Sequence, residues 1–178
     1  MLDTAENIVK KYDDVVPLVT IDSKDYYVDD VKGWLKSINE TEEALDKPEE
    51  DRTTLEELLE SLERWDEKQW ALFAHKGFEP CYISDISDLD IYRDEEKLDG
   101  EYYLVLTDEE ADEKYEDYQR DLVEDQLGRG MEWLMNYIDF GAIAKDDCYG
   151  RGNTLSGYDG EEHEYDVNGT TYYIYRTN

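Results

Sequence analysis

Residues 101–127, EYYLVLTDEEADEKYEDYQRDLVEDQL, decide the fold because they join a strand pattern directly to a helix pattern. Glu101–Leu106 is rich in Tyr, Leu and Val, which favours a β-strand. Thr107 and Glu110 then have the spacing of a capping box, in which each side chain satisfies a backbone N–H at the start of a helix. A helix is therefore predicted to begin at Asp108.

The predicted helix is strongly acidic. Between Asp108 and Asp125 there are ten acidic and two basic residues, a net charge of −8. Acidic residues in its first turn are favoured by the helix dipole. The apolar residues that should face the core recur at helical spacing. They are Ala111, Tyr115, Tyr118, Leu122 and Leu127, with Val123 alongside.

Further helices are predicted on both sides of this segment. Their positions are Asp3–Asp13; a helix from Asp29 or Asp30 with Val31, Trp34, Leu35 and Ile38 on one face; a helix capped by Thr54 and Glu57 with Leu55, Leu58, Leu59 and Leu62 on one face; a short helix with Trp70, Leu72 and Phe73; and a helix near Met131–Lys145. Each shows apolar residues at helical spacing or a capping signal. Residues 78–100 are predicted to be loop and short strand.

Strands are predicted at both ends of the chain. Val15–Ile21 is β-branched, and Tyr26-Tyr27-Val28 either extends it or pairs with it. Thr170–Tyr175 is the closing strand, with Glu164–Val167 as its hairpin partner across Asn168-Gly169. Because strands and helices do not alternate, the class is α+β rather than parallel α/β.

The domain organisation is predicted as two or three small subdomains that form an elongated, highly acidic body. The predicted parts are an N-terminal α+β subdomain at 1–50, a central, mostly helical subdomain at 51–100, and a C-terminal α+β subdomain at 101–178 with the acidic helix and the closing hairpin. Glu40–Asp51, which contains Pro48, is the predicted linker.

The composition is dominated by acidic residues. The 178 residues include 49 Asp and Glu against 18 Lys and Arg, a net charge of −31. Residues 1–50, 51–100, 101–150 and 151–178 carry −8, −9, −11 and −3, so the acidity belongs to the whole chain and not to a tail. The 16 Tyr and 4 Trp argue against disorder. Binding to nucleic acid or to an anionic membrane through a basic surface is excluded.

Catalytic, cofactor and metal motifs are missing from the sequence. Cys81 and Cys148 show no zinc spacing, and His163 lies in an acidic loop where a solvated side chain is expected. The acidic run of Asp85, Asp88, Asp90 and Asp94 lacks the register and the glycine of an EF-hand. We therefore expect a protein that is not an enzyme, with no cofactor and no metal site.

The sequence also indicates where in the cell the protein is expected. The acidic N-terminus lacks the layout of a signal peptide, and no apolar stretch reaches membrane-spanning length. A cytoplasmic location in the host cell is expected.

The acidic helices suggest a function for the charge. Carboxylates at i and i+4 on a helix lie about 5–6 Å apart at Cβ, and duplex DNA carries one charge per about 1.7 Å of axis. Such helices therefore present charge at a density comparable to a phosphate backbone and would compete with DNA for a basic cleft. The residues expected to form this DNA-mimic surface are Glu56, Glu57, Glu60, Glu63, Asp108, Glu109, Asp112, Glu113, Glu116, Asp117, Asp121, Glu124 and Asp125.

A motif near the C-terminus carries a resemblance to a known family. Residues 134–147, LMNYIDFGAIAKDD, resemble the C-terminal motif NYIDYxAYGRDL of the ArdA antirestriction proteins, small acidic proteins of phages, plasmids and conjugative transposons. The order of elements over residues 53–147 is also similar. The chain departs from the family motif at Ile143, Ala144 and Lys145, and its tail from Cys148 is longer.

The resemblance implies a curved α+β body that dimerises, imitates bent B-form DNA and occupies the DNA-binding groove of type I restriction-modification enzymes. The matching residues, expected to serve packing or dimerisation, are Asn136, Tyr137, Ile138, Asp139 and Phe140. The expected partner is therefore a basic DNA-binding groove of a restriction-modification enzyme or of another defence enzyme of the host.

Two alternatives remain open on the sequence. The same acidity would suit an inhibitor of an RNA-guided (CRISPR-Cas) nuclease, which also has a basic channel. A phage or plasmid regulatory protein that binds a host partner through its Tyr-rich C-terminal region belongs to a different class.

Overall fold

The computed structural model describes residues 16–46, 48, 51–89, 95–127, 132–146 and 150–178. The predicted helix Asp3–Asp13 lies outside these ranges. Helices and an antiparallel sheet of six strands make the chain α+β, as predicted.

The strands are β1 (Val19–Ile21), β2 (Lys24–Tyr26), β3 (Glu96–Leu98), β4 (Glu101–Thr107), β5 (His163–Val167) and β6 (Thr170–Arg176). Their order in the sheet is β2-β1-β5-β6-β4-β3. The predicted pairing of the Tyr26 segment with the first strand is confirmed, because Val19 lies opposite Tyr26. The strand predicted at Val15–Ile21 begins only at Val19 within the described residues; Pro17, which has no backbone N–H to donate, precedes it.

The helices within the described residues are α1 (Val28–Asn39), α2 (Glu42–Leu45), α3 (Leu55–Glu63), α4 (Glu67–His75), α5 (Ile83–Ser87), α6 (Asp108–Leu127), α7 (Phe140–Asp146) and α8 (Gly150–Leu155). Short 3₁₀ helices also lie at Pro80–Tyr82 and Glu132–Tyr137. The predicted helices α1, α3, α4 and α6 are confirmed, and α2 lies inside the predicted linker. None of the described helices has the length and apolar character that crossing a membrane requires.

The closing hairpin has the predicted tight turn. Asn168 and Gly169 both adopt positive φ, 52° and 88°, and join β5 to β6. Positive φ at both central positions is the geometry of a type I′ turn, whose twist matches that of the flanking strands. The prediction of this hairpin from Asn168-Gly169 is confirmed.

Contacts divide the chain into two compact units. Unit 1 consists of residues 1–91 and 165–170, and unit 2 consists of residues 92–164 and 171–178. The predicted division at residues 50 and 100 stays a prediction.

Unit 1 has an aromatic core. Phe73 is fully buried and lies 5.1 Å from Trp34 and 5.4 Å from Trp65 between ring centroids, in both cases edge to face. Tyr26 stacks on Phe78 at 4.6 Å. Edge-to-face and offset pairs of this kind add to the stabilisation that comes from burial. Much of the aromatic content of the sequence is thus used to build a core.

Unit 2 is built on β4, β6 and α6. Strands β4 and β6 pair from Tyr103 opposite Arg176 to Thr107 opposite Tyr172. Helix α6 starts at the residue after β4 and packs against that strand. The buried cluster between these elements and α8 consists of Leu104, Ala111, Leu155 and Tyr175.

Three segments differ from the prediction. The helix predicted near Met131–Lys145 is a 3₁₀ helix followed by α7, because Asp139 caps a new start: its Oδ1 accepts a hydrogen bond of 3.0 Å from the backbone N–H of Ala142. Residues 78–100, predicted as loop and strand, contain α5. Helix α8 was not predicted, because its two glycines disfavour a helix in the sequence.

Candidate acidic interaction surface

Helix α3 carries the first part of the predicted surface, in unit 1. Leu58, Leu59 and Leu62 are buried, so the carboxylates lie on the other faces. Glu57, Glu60 and Glu63 are exposed, and Glu56 is half-buried.

Glu57 and Glu60 have identified partners within the chain. Glu57 accepts a hydrogen bond of 2.9 Å from the backbone N–H of Thr54, which lowers the pKa of Glu57. This interaction completes the predicted capping box. Glu60 forms an exposed ion pair of 3.5 Å with Arg64. Exposed pairs are weak and can be exchanged for a partner's cation, whereas the cap also holds the helix start.

Helix α6 carries the larger part of the surface, in unit 2. Its capping box is formed as predicted, with the backbone N–H of Thr107 donating to Glu110 at 2.8 Å. Ala111, Tyr115 and Gln119 are buried on one face. Eight of the ten acidic residues of the helix are exposed, and Glu110 and Glu116 are half-buried.

Arg151 on α8 forms ion pairs with two of the exposed α6 carboxylates. One guanidinium nitrogen, Nη1, lies 2.7 Å from Asp108 Oδ1 and 2.9 Å from Asp112 Oδ1. The Arg151 Nε donates to Glu162 at 3.2 Å, and the guanidinium lies 4.5 Å from the centre of the Tyr173 ring. The side chain of Arg151 is only 16% exposed, so this is an internal ion-pair network and not a surface pair.

The network is held in its charged form. Burial lowers the pKa of Arg151, but hydrogen bonds to Asp108 and Glu162 outweigh it and raise the pKa overall. Burial and the hydrogen bond of 2.5 Å that its hydroxyl donates to Glu162 raise the pKa of Tyr175. Arg151 therefore stays cationic, and its single positive charge offsets part of the negative charge at the start of α6.

The middle of α6 packs on α7. The ideal Cβ position of Gly141 lies 2.8 Å from the Oε1 atom of Glu116, so a side chain at position 141 would collide with this carboxylate. Arg120 forms an ion pair with Asp117, and its guanidinium lies 5.2 Å from the centre of the Phe140 ring. Asp117 is thus exposed but paired.

Five carboxylates of α6 are exposed and form no ion pair within the described part of the chain. This set, called here the free α6 carboxylates, comprises Glu109, Glu113, Asp121, Glu124 and Asp125. Glu109 and Glu113 are i, i+4 neighbours, as are Asp121 and Asp125. The structure thus separates the predicted residues of α6 into a paired group near Arg151 and α7 and a free group available to a partner.

The predicted apolar face of α6 is only partly covered. Ala111 and Tyr115 are buried, whereas Tyr118 is 45% exposed and Leu122 is 38% exposed. The prediction that this whole stripe faces the core is wrong for Tyr118 and Leu122, whereas Val123 and Leu127 are half-buried.

The residues of the ArdA-like motif have different environments. Phe140 is buried, whereas Tyr137 is 81% exposed and packs edge to face on the exposed Trp133, with 6.1 Å between ring centroids. Asn136 and Asp139 are exposed and Ile138 is half-buried. Packing accounts for Phe140, and dimerisation through the exposed residues stays a prediction.

Two groups of residues in the structure were not predicted from the sequence. One group is Arg151 with its acidic neighbours, which the sequence did not single out. The structure also brings together Asp159, Glu161 and His163, whose potential ligand atoms all lie within 4.8 Å of one another. No metal site was expected there.

Comparisons with known protein families, with curated proteins and with solved structures find no match to this chain.

Proposed function

We propose that this protein is a non-enzymatic DNA mimic that blocks the DNA-binding groove of a type I restriction-modification enzyme. The observation that carries the proposal is the row of free α6 carboxylates, displayed on a helix that contacts β4, α7 and α8 and buries Ala111, Tyr115 and Gln119 on its other side. A fixed helix holds its charges at defined spacing, as a phosphate backbone does. A disordered acidic tail would not.

The driving force of the proposed interaction is electrostatic. A groove that binds DNA gains free energy when bound counterions are released, and an acidic helix offers the same gain. The net charge of −31 also steers a basic partner to the surface and speeds association. Glu56, Glu60 and Glu63 of α3 offer a second acidic row on unit 1.

The ArdA resemblance extends the proposal to the shape, the oligomeric state, the location and the genetic origin of the protein. It adds an elongated homodimer that acts in the cytoplasm of the host cell and is encoded by a phage or another mobile element. The element order and the motif at residues 136–140 support this part.

Displacement of DNA tests the proposal. The full chain is titrated into a type I enzyme bound to a fluorescent duplex with its recognition site, and anisotropy reports release. We expect displacement at low micromolar concentration or below, with affinity that falls steeply as salt rises. Failure to displace DNA at low salt would contradict the proposal.

A parallel titration addresses the nearest alternative. An RNA-guided nuclease loaded with guide RNA replaces the type I enzyme, and binding of its target duplex is measured in the same way. Displacement from this nuclease alone would assign the chain to the CRISPR-Cas alternative.

The Tyr-rich C-terminal region offers less support for the regulatory alternative. Tyr172 and Tyr175 of β6 are buried, and Tyr173 lies under the guanidinium of Arg151. These three tyrosines contribute to the packing of unit 2 and offer little surface to a host partner, whereas Tyr158 of the same region is 60% exposed.

A further inference from the structure

We propose that Asp159, Glu161 and His163 form a binding site for a divalent transition-metal ion, with Zn²⁺ as the preferred ion. One ligand atom from each residue lies within 4.8 Å of the other two. The Nε2 atom of His163 lies 3.8 Å from Oε2 of Glu161. The site is separate from the free α6 carboxylates, so this proposal goes beyond DNA mimicry.

The backbone explains why these side chains converge. Glu161 and Glu162 directly precede β5, which begins at His163, and alternate residues along a strand point to opposite sides. Glu162 contacts Arg151 and Tyr175 on one side of the chain. Glu161 and His163 therefore share the other side, where Asp159 meets them.

The loop that carries Asp159 is held in place by close packing. Asp159 Oδ1 accepts hydrogen bonds from the hydroxyl of Ser156 at 2.6 Å and from the backbone N–H of Glu161 at 2.9 Å. A Cβ at Gly157 would lie 2.4 Å from the carbonyl oxygen of Thr177, so the chain runs too close for any side chain there. Because the loop is already ordered by these contacts, little conformational freedom would be lost when an ion binds.

The donor set selects the class of metal. Carboxylates alone would favour Ca²⁺ or Mg²⁺, and exposed acidic pairs are too common to define a site. The imidazole nitrogen of His163 changes the preference, because imidazole suits Zn²⁺ and its first-row neighbours. Three protein ligands with an open position is also an arrangement that Zn²⁺ adopts.

The observed spacing is close to what an ion requires. Ligand atoms at about 2.0–2.2 Å from zinc lie about 3–3.5 Å from one another in tetrahedral geometry. Side-chain rotations that bring the three ligand atoms together by about 1 Å would satisfy this geometry.

Metal titration of the full chain tests the proposal. Chelator-treated protein is titrated with Zn²⁺ by calorimetry, and with Co²⁺ by visible absorption, in 150 mM KCl and 5 mM Mg²⁺ to saturate diffuse binding to carboxylates. We expect one Zn²⁺ per chain and cobalt bands that Zn²⁺ abolishes. His163→Gln should weaken binding at least tenfold, whereas His75→Gln, which changes the other histidine, should not.

Two results would overturn the proposal. One is equal Zn²⁺ affinity of His163→Gln and the unchanged chain, and the other is Ca²⁺ binding as tight as Zn²⁺ binding. If circular dichroism shows that His163→Gln does not fold, the imidazole NMR signals of the unchanged chain decide, with His75→Gln used for assignment. His163 signals that do not move when Zn²⁺ is added would overturn it as well. DNA displacement is measured separately in chelator, so failure of one proposal leaves the other testable.

Discussion

Arg151 shows at the scale of a single residue how a strongly acidic chain stays folded. Its guanidinium contacts carboxylates from the start of α6 and from the segment before β5. With 49 acidic and 18 basic residues in the chain, a half-buried cation with three acidic neighbours reduces a concentrated source of repulsion.

We expect Arg151→Ala to lower the free energy of unfolding by about 2 kcal/mol. Removing one side of a buried charge cluster is costly, but Asp108 and Asp112 are about two-thirds exposed, so water screens part of the loss. The control is Arg64→Ala, which removes an exposed pair with Glu60 and should cost at most about 0.5 kcal/mol. Urea unfolding measures both, and equal losses would contradict the role given to Arg151.

Helix-capping interactions and long-range ion pairs differ in how well the sequence predicts them. The capping boxes of Thr54 with Glu57 and of Thr107 with Glu110 were predicted, because their partners are three residues apart. Arg151 and Asp108 are 43 residues apart, and only the packing of α8 on α6 brings them together. The cluster at His163 was missed for a related reason, since the turn at Asp159 decides whether that carboxylate points toward Glu161 and His163.

At the scale of elements, the β5–β6 hairpin depends on its turn. Gly169 has φ of 88°, a conformation that costs a residue with a side chain about 1–2 kcal/mol. The sequence predicted this turn because Asn-Gly is a strong local signal.

We expect Gly169→Ala to destabilise the protein by about 1 kcal/mol because alanine disfavours this φ. Gly33→Ala is the matched control in the exposed part of α1, where a Cβ meets nothing within 4 Å. It should stabilise by about 0.5–1 kcal/mol, because alanine has the higher helix propensity. Thermal unfolding distinguishes the two, and a loss of stability in both variants would contradict this account of the turn.

Helix α6 shows what the helical spacing of apolar residues cannot predict. The sequence correctly placed Ala111 and Tyr115 toward the core, yet Tyr118 and Leu122 continue the same pattern and are exposed. Periodicity gives the side of a helix that is apolar, but it cannot say how far along the helix other elements cover that side.

At the scale of the whole molecule, the net charge of −31 sets the stability as well as the proposed function. Repulsion between like charges destabilises a compact chain, and salt screens it over a Debye length of about 10 Å at 0.1 M.

We therefore expect the melting temperature to rise by several degrees as KCl increases from 20 to 500 mM. Salt also weakens ion pairs such as those of Arg151, but the uncompensated carboxylates far outnumber the paired ones. Scanning calorimetry measures the effect. A melting temperature that falls with added KCl would show that ion pairing, and not repulsion, dominates.

The central claim is that α6 presents carboxylates in place of phosphates. Displacement of duplex DNA from a type I enzyme by a variant with Glu109→Gln, Glu113→Gln and Glu124→Gln tests it most directly. The matched control carries Glu40→Gln, Asp88→Asn and Glu95→Gln, three exposed residues outside the proposed surface with the same change in net charge. We predict that the α6 variant competes at least tenfold less well, while the control stays within about twofold of the unchanged chain. Equal competition by both variants would contradict the claim.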